Sequence, residues 1–246
     1  IRGLVGSEMC IRDRNIITFA IKWFTFSFMK IASWNVNGIR ERIDHVAAWI
    51  EENQPDGLAL QETKVVDELF PYDVFESLSY SVEAFGQKSY NGVANITKSS
   101  STQTSKGITG LVDPQTRVIS TTHKGVRVVN VYVPNGQAVG SEKFDYKLDW
   151  LEHLKKMLKD DLKKHPKMVV LGDFNIAPSD QDVHDPEKWK DKILCSAQER
   201  AMFEEILSLG FKDSFRLFEK GAGFHTWWDY RTAAYTCLLY TSPSPR

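Results

Sequence analysis

In the run Gly172-Asp173-Phe174-Asn175-Ile176, an acid and an amide follow the apolar stretch Met168 to Leu171, which reads as a buried strand. In extended chain, residues two apart share a face, so Asp173 and Asn175 are expected to point the same way. An acid beside an amide at a strand's end can hold and activate a water next to a phosphate. Two other segments repeat the design. Ile31-Ala32-Ser33-Trp34-Asn35-Val36-Asn37-Gly38 puts Asn35 and Asn37 on one face and Trp34 and Val36 on the other. Leu58-Ala59-Leu60-Gln61-Glu62-Thr63-Lys64 closes a second apolar strand with a carboxylate and a lysine. Each of these strands is expected to deliver hydrogen-bonding or metal-binding groups at its end.

The elements that must position these groups follow from periodicity. Glu41 to Glu52 reads as a helix, with Ile43, Val46, Ala47 and Ile50 at helical spacing. Gly57 to Gln61, Tyr80 to Phe85 and Gly92 to Thr97 read as strands, and the Ser-, Thr- and Lys-rich stretch Thr97 to Gly107 as a polar loop. Val118 to Thr122 and Val126 to Val133 suit a hairpin turning at Lys124-Gly125. Glu142 to Lys163 reads as a long amphipathic helix with the stripe Leu148, Leu151, Leu154, Leu158 and Leu162. Ser196 is placed to cap a helix over Ala197 to Ser208, with Glu199 three residues on and Gly210 past its end. Paired strands between helices suggest two packed sheets with helices outside.

Composition sets outer bounds. The 246 residues are 42% hydrophobic and 26% charged, ordinary material for one large globular domain. The net charge of -1 supplies no global basic field, so a nucleic-acid partner would have to be met by a local patch. Cys10, Cys195 and Cys237 form neither a metal spacing nor an even framework, which suits a reduced, intracellular, cytoplasmic protein. Asn15 to Phe28 is apolar but broken by Lys22 and short for a membrane span. Val5 to Arg14 and Cys237 to Arg246 resemble translated adaptor DNA. The expected organisation is therefore a non-native leader over 1–28, one domain over 29–234 and an adaptor-like tail over 235–246.

Residues 29 to about 234 closely resemble the exonuclease III/AP endonuclease family. The motifs that carry the resemblance are Ser33 to Gly38, Leu60-Gln61-Glu62-Thr63-Lys64, Asn130-Val131-Tyr132-Val133-Pro134-Asn135-Gly136, Gly172 to Asn175 and Trp227-Trp228-Asp229-Tyr230-Arg231. The resemblance implies a DNase I-like, four-layer α/β-sandwich that binds Mg²⁺, or Mn²⁺ in its place, and cuts DNA phosphodiesters. It implies a monomer, with no membrane partner, acting on duplex DNA at abasic sites or 3′ ends. Glu62 and Asn35 match the metal site, and Asp173 matches the acid that orients or deprotonates the attacking water. Asn175 matches that acid's partner, and Tyr132 a phosphate or leaving-group contact. Trp227 matches the wall of an abasic-sugar pocket, and Asn135, Gln137, Arg117 and Lys64 are candidate DNA contacts, with Lys88 beside them. A superfamily phosphodiesterase acting on phosphoinositide or sphingolipid head groups, and a non-catalytic DNA-binding fragment, stand as alternatives.

The family pattern continues with Arg-Ile-Asp-His and Ser-Asp-His segments, which supply a catalytic histidine and its acid partner. Neither occurs in this sequence, which leaves the pattern at about Tyr235. The expectation is that the closing strands of one sheet are missing and that the 246-residue chain alone is inactive and poorly stable.

Overall fold

The computed structural model describes residues 16–19 and 29–224. These divide into two compact units. One is built from the chain up to Ile108, Val112–Tyr132 and His165–Gly172, and the other from Thr109–Leu111, Val133–Lys164 and the chain from Asp173.

The first unit holds two sheets. Strands β1 (Ile16–Phe19), β2 (Met29–Asn35), β3 (Gly57–Gln61), β4 (Ser81–Phe85) and β5 (Val93–Thr97) make a five-stranded sheet ordered β1-β2-β3-β5-β4. Only β2 and β3 run parallel among its strand pairs. A parallel pair needs a crossover, and helix α1 (Ile43–Asn53) supplies it. Every residue of β3 and β5 is buried, which explains their nearly unbroken apolar character. Val46, Trp49 and Ile50 of α1 pack with Leu58, Leu60 and Ile96 of the sheet and with Phe75 of α2 (Tyr72–Ser77). Strand β1 lies in the stretch set aside as leader, where its backbone pairs antiparallel with β2.

Strands β6 (Thr102–Lys106), β7 (Val118–His123), β8 (Val126–Tyr132) and β9 (Met168–Asp173) make the second sheet, in that order. Lys124 and Gly125 have φ of 48° and 77°, the left-handed pair that a two-residue hairpin turn requires, so the predicted hairpin forms. Strand β6 corrects the expected loop over Thr97 to Gly107. All five of its side chains are exposed, so it carries no apolar alternation to read. Its register also slips, with three steps from Thr102 to Ser105 against two from Thr122 to Ser120. This is a bulged edge, tied by Lys106 to Asp67 at 2.7 Å and by Arg127 to Ser105 at 2.7 Å.

An apolar layer joins the two sheets, with Ile31 and Ala59 against Val126, Val128, Val169 and Leu171. A polar tie crosses it. Asn130 is fully buried in β8, and its Nδ2 donates to the Leu60 and Ala94 carbonyls, each at 3.0 Å. Its Oδ1 accepts from Gln61 Nε2 at 2.8 Å. A buried amide is tolerated when its groups are paired in this way.

The second unit is helical. It contains α3 (Glu142–Lys164), α4 (Pro186–Trp189), α5 (Ala197–Leu207) and α6 (Ser214–Phe218). Leu151, Leu154 and Leu158 of the predicted stripe are buried, but Leu148 and Leu162 are only partly so. Phe144, Trp150 and Met157 complete the buried face, together with Lys147. The Ser196–Glu199 capping box forms as expected at the start of α5. A smaller core gathers Ala177, Val183, Leu194 and Cys195, and burial pushes the Cys195 thiol up to about 11. No helix among the described residues is long and apolar enough to cross a membrane.

Gly172 is the tightest point of the second sheet. Its φ is +139°, and a Cβ there would lie 1.9 Å from the Val131 carbonyl oxygen. Gly172→Ala is expected to destabilise the protein by about 3 kcal/mol, combining overpacking with backbone strain. Urea denaturation would measure this, and a midpoint equal to wild type would show that β8 and β9 can part without loss.

Candidate active site

The ends of β2, β3 and β8 carry the polar groups of the first unit. Beyond its last strand residue, the β2 chain stays bonded to the chain after β3. Val36, Gly38 and Ile39 N–H groups donate to the Gln61, Glu62 and Thr63 carbonyls at 3.0, 2.7 and 3.1 Å. This continued pairing brings Asn35 and Glu62 together, and Asn35 Nδ2 donates to Glu62 Oε1 at 3.0 Å. The Tyr132 hydroxyl donates to the same oxygen at 2.7 Å. Lys64 Nζ lies 2.9 Å from Glu62 Oε2 and also donates to Asn37 Oδ1. Arg117 Nη1 donates to the Tyr132 carbonyl at 3.1 Å, and its guanidinium lies 4.6 Å from the centre of the Tyr132 ring.

Glu62 is mostly buried, and burial alone would raise its pKa. The hydrogen bonds from Asn35, Tyr132 and Lys64, with the Lys64 charge, outweigh burial and hold the carboxyl below the usual range. Glu62 also has a φ of 53° and Lys64 one of 56°, left-handed conformations that cost side-chain-bearing residues about 1–2 kcal/mol each.

The extended geometry expected at Asn37 is replaced by a turn, although both amides still reach the Glu62–Lys64 pair. Strand β2 ends at Asn35, and Asn37, with a φ of 45°, turns to donate its N–H to Asn35 Oδ1 at 3.0 Å. A local side-chain bond has replaced strand alternation.

In the second unit, Asp173 is buried at the end of β9 and its carbonyl accepts from the Val133 N–H at 2.9 Å. The extended geometry expected for Asp173 and Asn175 is also replaced by a turn. Asn175 has a φ of 50°, and its N–H donates to Asp173 Oδ1 at 3.1 Å. Asn175 Nδ2 donates to the Val133 carbonyl at 3.0 Å, which spends one of its two N–H groups. Asn135 and Gln137 are exposed on the loop after Val133, where Asn135 Oδ1 accepts from the Gln137 N–H at 3.3 Å. Lys88 is exposed. Trp227 lies outside the described residues.

Three roles were not visible in the sequence. Gln61 and Asn130 tie the sheets beside Glu62 and Tyr132, and Lys147 is wholly buried against Glu199. Asn130 left one signal, a lone amide inside an apolar strand. Lys147 left another, a cation three residues from both Phe144 and Trp150 on the buried face of a helix.

A carboxylate, an amide and a phenol thus meet at the strand ends of an α/β fold. The chain belongs to the endonuclease/exonuclease/phosphatase family, whose model matches residues 32–239, and within it to the exodeoxyribonuclease III group. It is 36% identical over 220 residues to exodeoxyribonuclease III of Haemophilus influenzae, covering 84% of this chain and 82% of that protein. A 3′ phosphatase from Neisseria, solved with a product DNA hairpin, superposes with a TM-score of 0.85 at 43% identity, covering 87% of this chain and 83% of that one. An AP endonuclease from Archaeoglobus fulgidus gives 0.83 at 36% identity, covering 88% and 84%. The DNase I-like α/β fold is shared with these structures.

The family uses divalent metal ions, and the donors at Glu62 fit a hard one. Mg²⁺ is commonly held by one or two carboxylates and keeps several waters. Glu62 is ionised and Asn35 lies against it, so an oxygen-donor site with few protein ligands is available. Among the described residues no group of three or more His, Cys, Asp or Glu is placed to hold a metal.

Tyr132→Phe removes one of the bonds that keep Glu62 ionised. A depressed carboxyl pKa contributes stability that is present above the unfolded value and lost as pH falls through the folded one. The variant should therefore lose that contribution at a higher pH than wild type, with the Glu62 pKa moving toward 4.5. Carboxyl-detected NMR titration measures it. An unmoved pKa would assign the stabilisation to Asn35 and Lys64.

Proposed function

We propose that this protein hydrolyses DNA phosphodiesters with Mg²⁺, as a 3′→5′ exodeoxyribonuclease and as an endonuclease at abasic sites. The observation that carries the reading is the ionised Glu62 carboxylate held between Asn35 and Tyr132 in a chain of this family. Glu62 and Asn35 would hold the cation, which when bound would supply positive charge against the phosphate oxygens. Asp173 takes the proton of the attacking water as the water oxygen bonds to phosphorus. The bond from phosphorus to the leaving sugar oxygen breaks, and that oxygen takes a proton from solvent. Asn175 orients water and phosphate through its remaining N–H. Tyr132 contacts the phosphate, and Lys64 and Arg117 add positive charge along the backbone. Asn135 and Gln137 contact the backbone from their exposed loop, and Trp227 walls the pocket for an extruded, baseless sugar. The enzyme acts as a monomer on duplex DNA in the cytoplasm, with Mn²⁺ able to replace Mg²⁺.

Two substitutions test these assignments on abasic duplex DNA. The assays use the 246-residue chain and one extended by a homologous C-terminal segment through Ser-Asp-His. Asp173→Asn keeps the size and removes the base, and should lower kcat by about 10²- to 10⁴-fold. Glu62→Ala should raise the Mg²⁺ concentration needed for half-maximal rate. Near wild-type turnover in Asp173→Asn would remove Asp173 from the chemistry, and an unchanged Mg²⁺ titration would remove Glu62 from the metal site. Cleavage of lipid phosphodiesters in preference to abasic DNA would overturn the substrate class.

A further inference from the structure

We propose that Lys147 is a positioning residue of the nuclease, a buried cation that holds by their backbones the two loops carrying Asn175 and Asn135. The proposal rests on the nuclease reading above. Lys147 is on α3 with its side chain 0% exposed, as is that of its ion-pair partner Glu199. An ammonium has three donors. One goes to Glu199 Oε1, one to the Asn175 carbonyl at 2.6 Å and one to the Asn135 carbonyl at 3.3 Å. The inventory is complete, and two of its three acceptors belong to the loops that carry proposed functional side chains.

The loops are shaped to meet it. The left-handed turn at Asn175, with φ of 50°, accompanies a carbonyl bonded to Lys147 while the side chain bonds Val133. At Gly136, φ is +87°, and an added Cβ would lie 3.1 Å from Lys147 Cδ and 2.9 Å from Ile193 Cδ1. The loop between Asn135 and Gln137 therefore rests on the lysine's own stem. Glu199 is fixed from its far side, accepting from the Leu194 N–H at 3.1 Å, the Ser196 N–H at 3.1 Å and the Ser196 hydroxyl at 2.6 Å. The start of α5 fixes Glu199, which neutralises the buried ammonium, while the two other donors of Lys147 bond the loops directly. The Lys147 charge also attracts Asp173, on the same loop as Asn175.

A role in stability alone does not account for the arrangement. A buried ion pair can often be replaced by apolar residues of similar volume without loss of stability. Phe144, Trp150 and Leu151 surround this helical position with apolar neighbours, where a leucine would satisfy the pattern. What an apolar residue lacks is the ability to bind two carbonyls from separate loops.

The test compares Lys147→Met, Glu199→Gln and the double variant, which leaves no unpaired buried charge. Kinetics on abasic duplex DNA with Mg²⁺ are read in the 246-residue chain and in the C-terminally extended one. Variants are confirmed folded by circular dichroism. Lys147→Met and the double variant should lose kcat by about 100-fold, as expected for a misplaced catalytic group, and KM should rise because the Asn135–Gln137 loop is released as well. Glu199→Gln retains the carbonyl bonds and should keep kcat near wild type, whatever its melting temperature. In an Asn175→Ala background, Lys147→Met should cost less in kcat than it does in the wild type, because part of its effect runs through the Asn175 side chain. Wild-type kcat in the folded double variant overturns the proposal, as does an undiminished loss in the Asn175→Ala background. Hydrogen exchange of residues 173–176 reads the anchoring without reference to activity. It should accelerate in the double variant but not in Glu199→Gln, and unchanged exchange also overturns the proposal. Accelerated exchange in a protein whose wild type cuts no DNA would instead count against the nuclease reading.

Discussion

Registration of β3 against β8 is the constraint on which the cluster around Glu62 depends, and one amide enforces it. Asn130 bonds two carbonyls on the opposite sheet and takes a bond from Gln61. Gln61 is the residue before Glu62, and Asn130 stands two before Tyr132. An apolar interface tolerates sliding because its attraction has no direction. Three directed bonds in a dry layer do not, because a shift would leave buried amides and carbonyls unpaired at about 1–3 kcal/mol each. The hydroxyl of Tyr132 meets the carboxylate of Glu62 because the strands beneath them cannot slip.

The two units share a second economy, the sharp turn at a strand end. Glu62 and Asn175 each adopt left-handed backbone immediately beyond or near the last residue of a strand. Both are over-determined by their surroundings. Glu62 is bracketed by N–H groups of Gly38 and Ile39 that bond its own carbonyl and that of Thr63, and Asn175 by Asp173, Val133 and Lys147. Strained conformations persist where neighbouring bonds specify them, and they direct a side chain away from the pleat. The unfavourable backbone and the favourable carboxylate environment belong to one arrangement.

Much of this was legible in the chain. Unbroken apolar runs announced β3 and β9, the Lys124-Gly125 pair announced its hairpin, and Ser196 with Glu199 announced the start of α5. These features rest on local periodicity or on one residue's conformational preference. The sequence motifs put Asn35, Glu62 and Tyr132 at strand ends, and the three converge. What escaped was decided by partners distant in sequence. Strand β6 has no apolar face because it is an exposed edge, so only its pairing with β7 defines it. Lys147 looks like a polar interruption of a helix until Glu199, more than 50 residues on, is placed against it. The extended reading of Asp173 and Asn175 failed because a side-chain acceptor two residues back competes successfully with the strand for the Asn175 N–H.

Cys195 is the one cysteine among the described residues, and it is buried with its thiol pushed up to about 11. The thiolate is the form that oxidants and electrophiles attack, and at neutral pH this residue holds almost none of it. Peroxide and related oxidants break DNA and leave damaged 3′ ends and abasic sites. A nuclease that answers such lesions works in the same oxidising conditions that create them. Burial and the raised pKa leave the Cys195 thiol little of the thiolate form from which sulfenic acid or a mixed disulfide arises, at the centre of the smaller core.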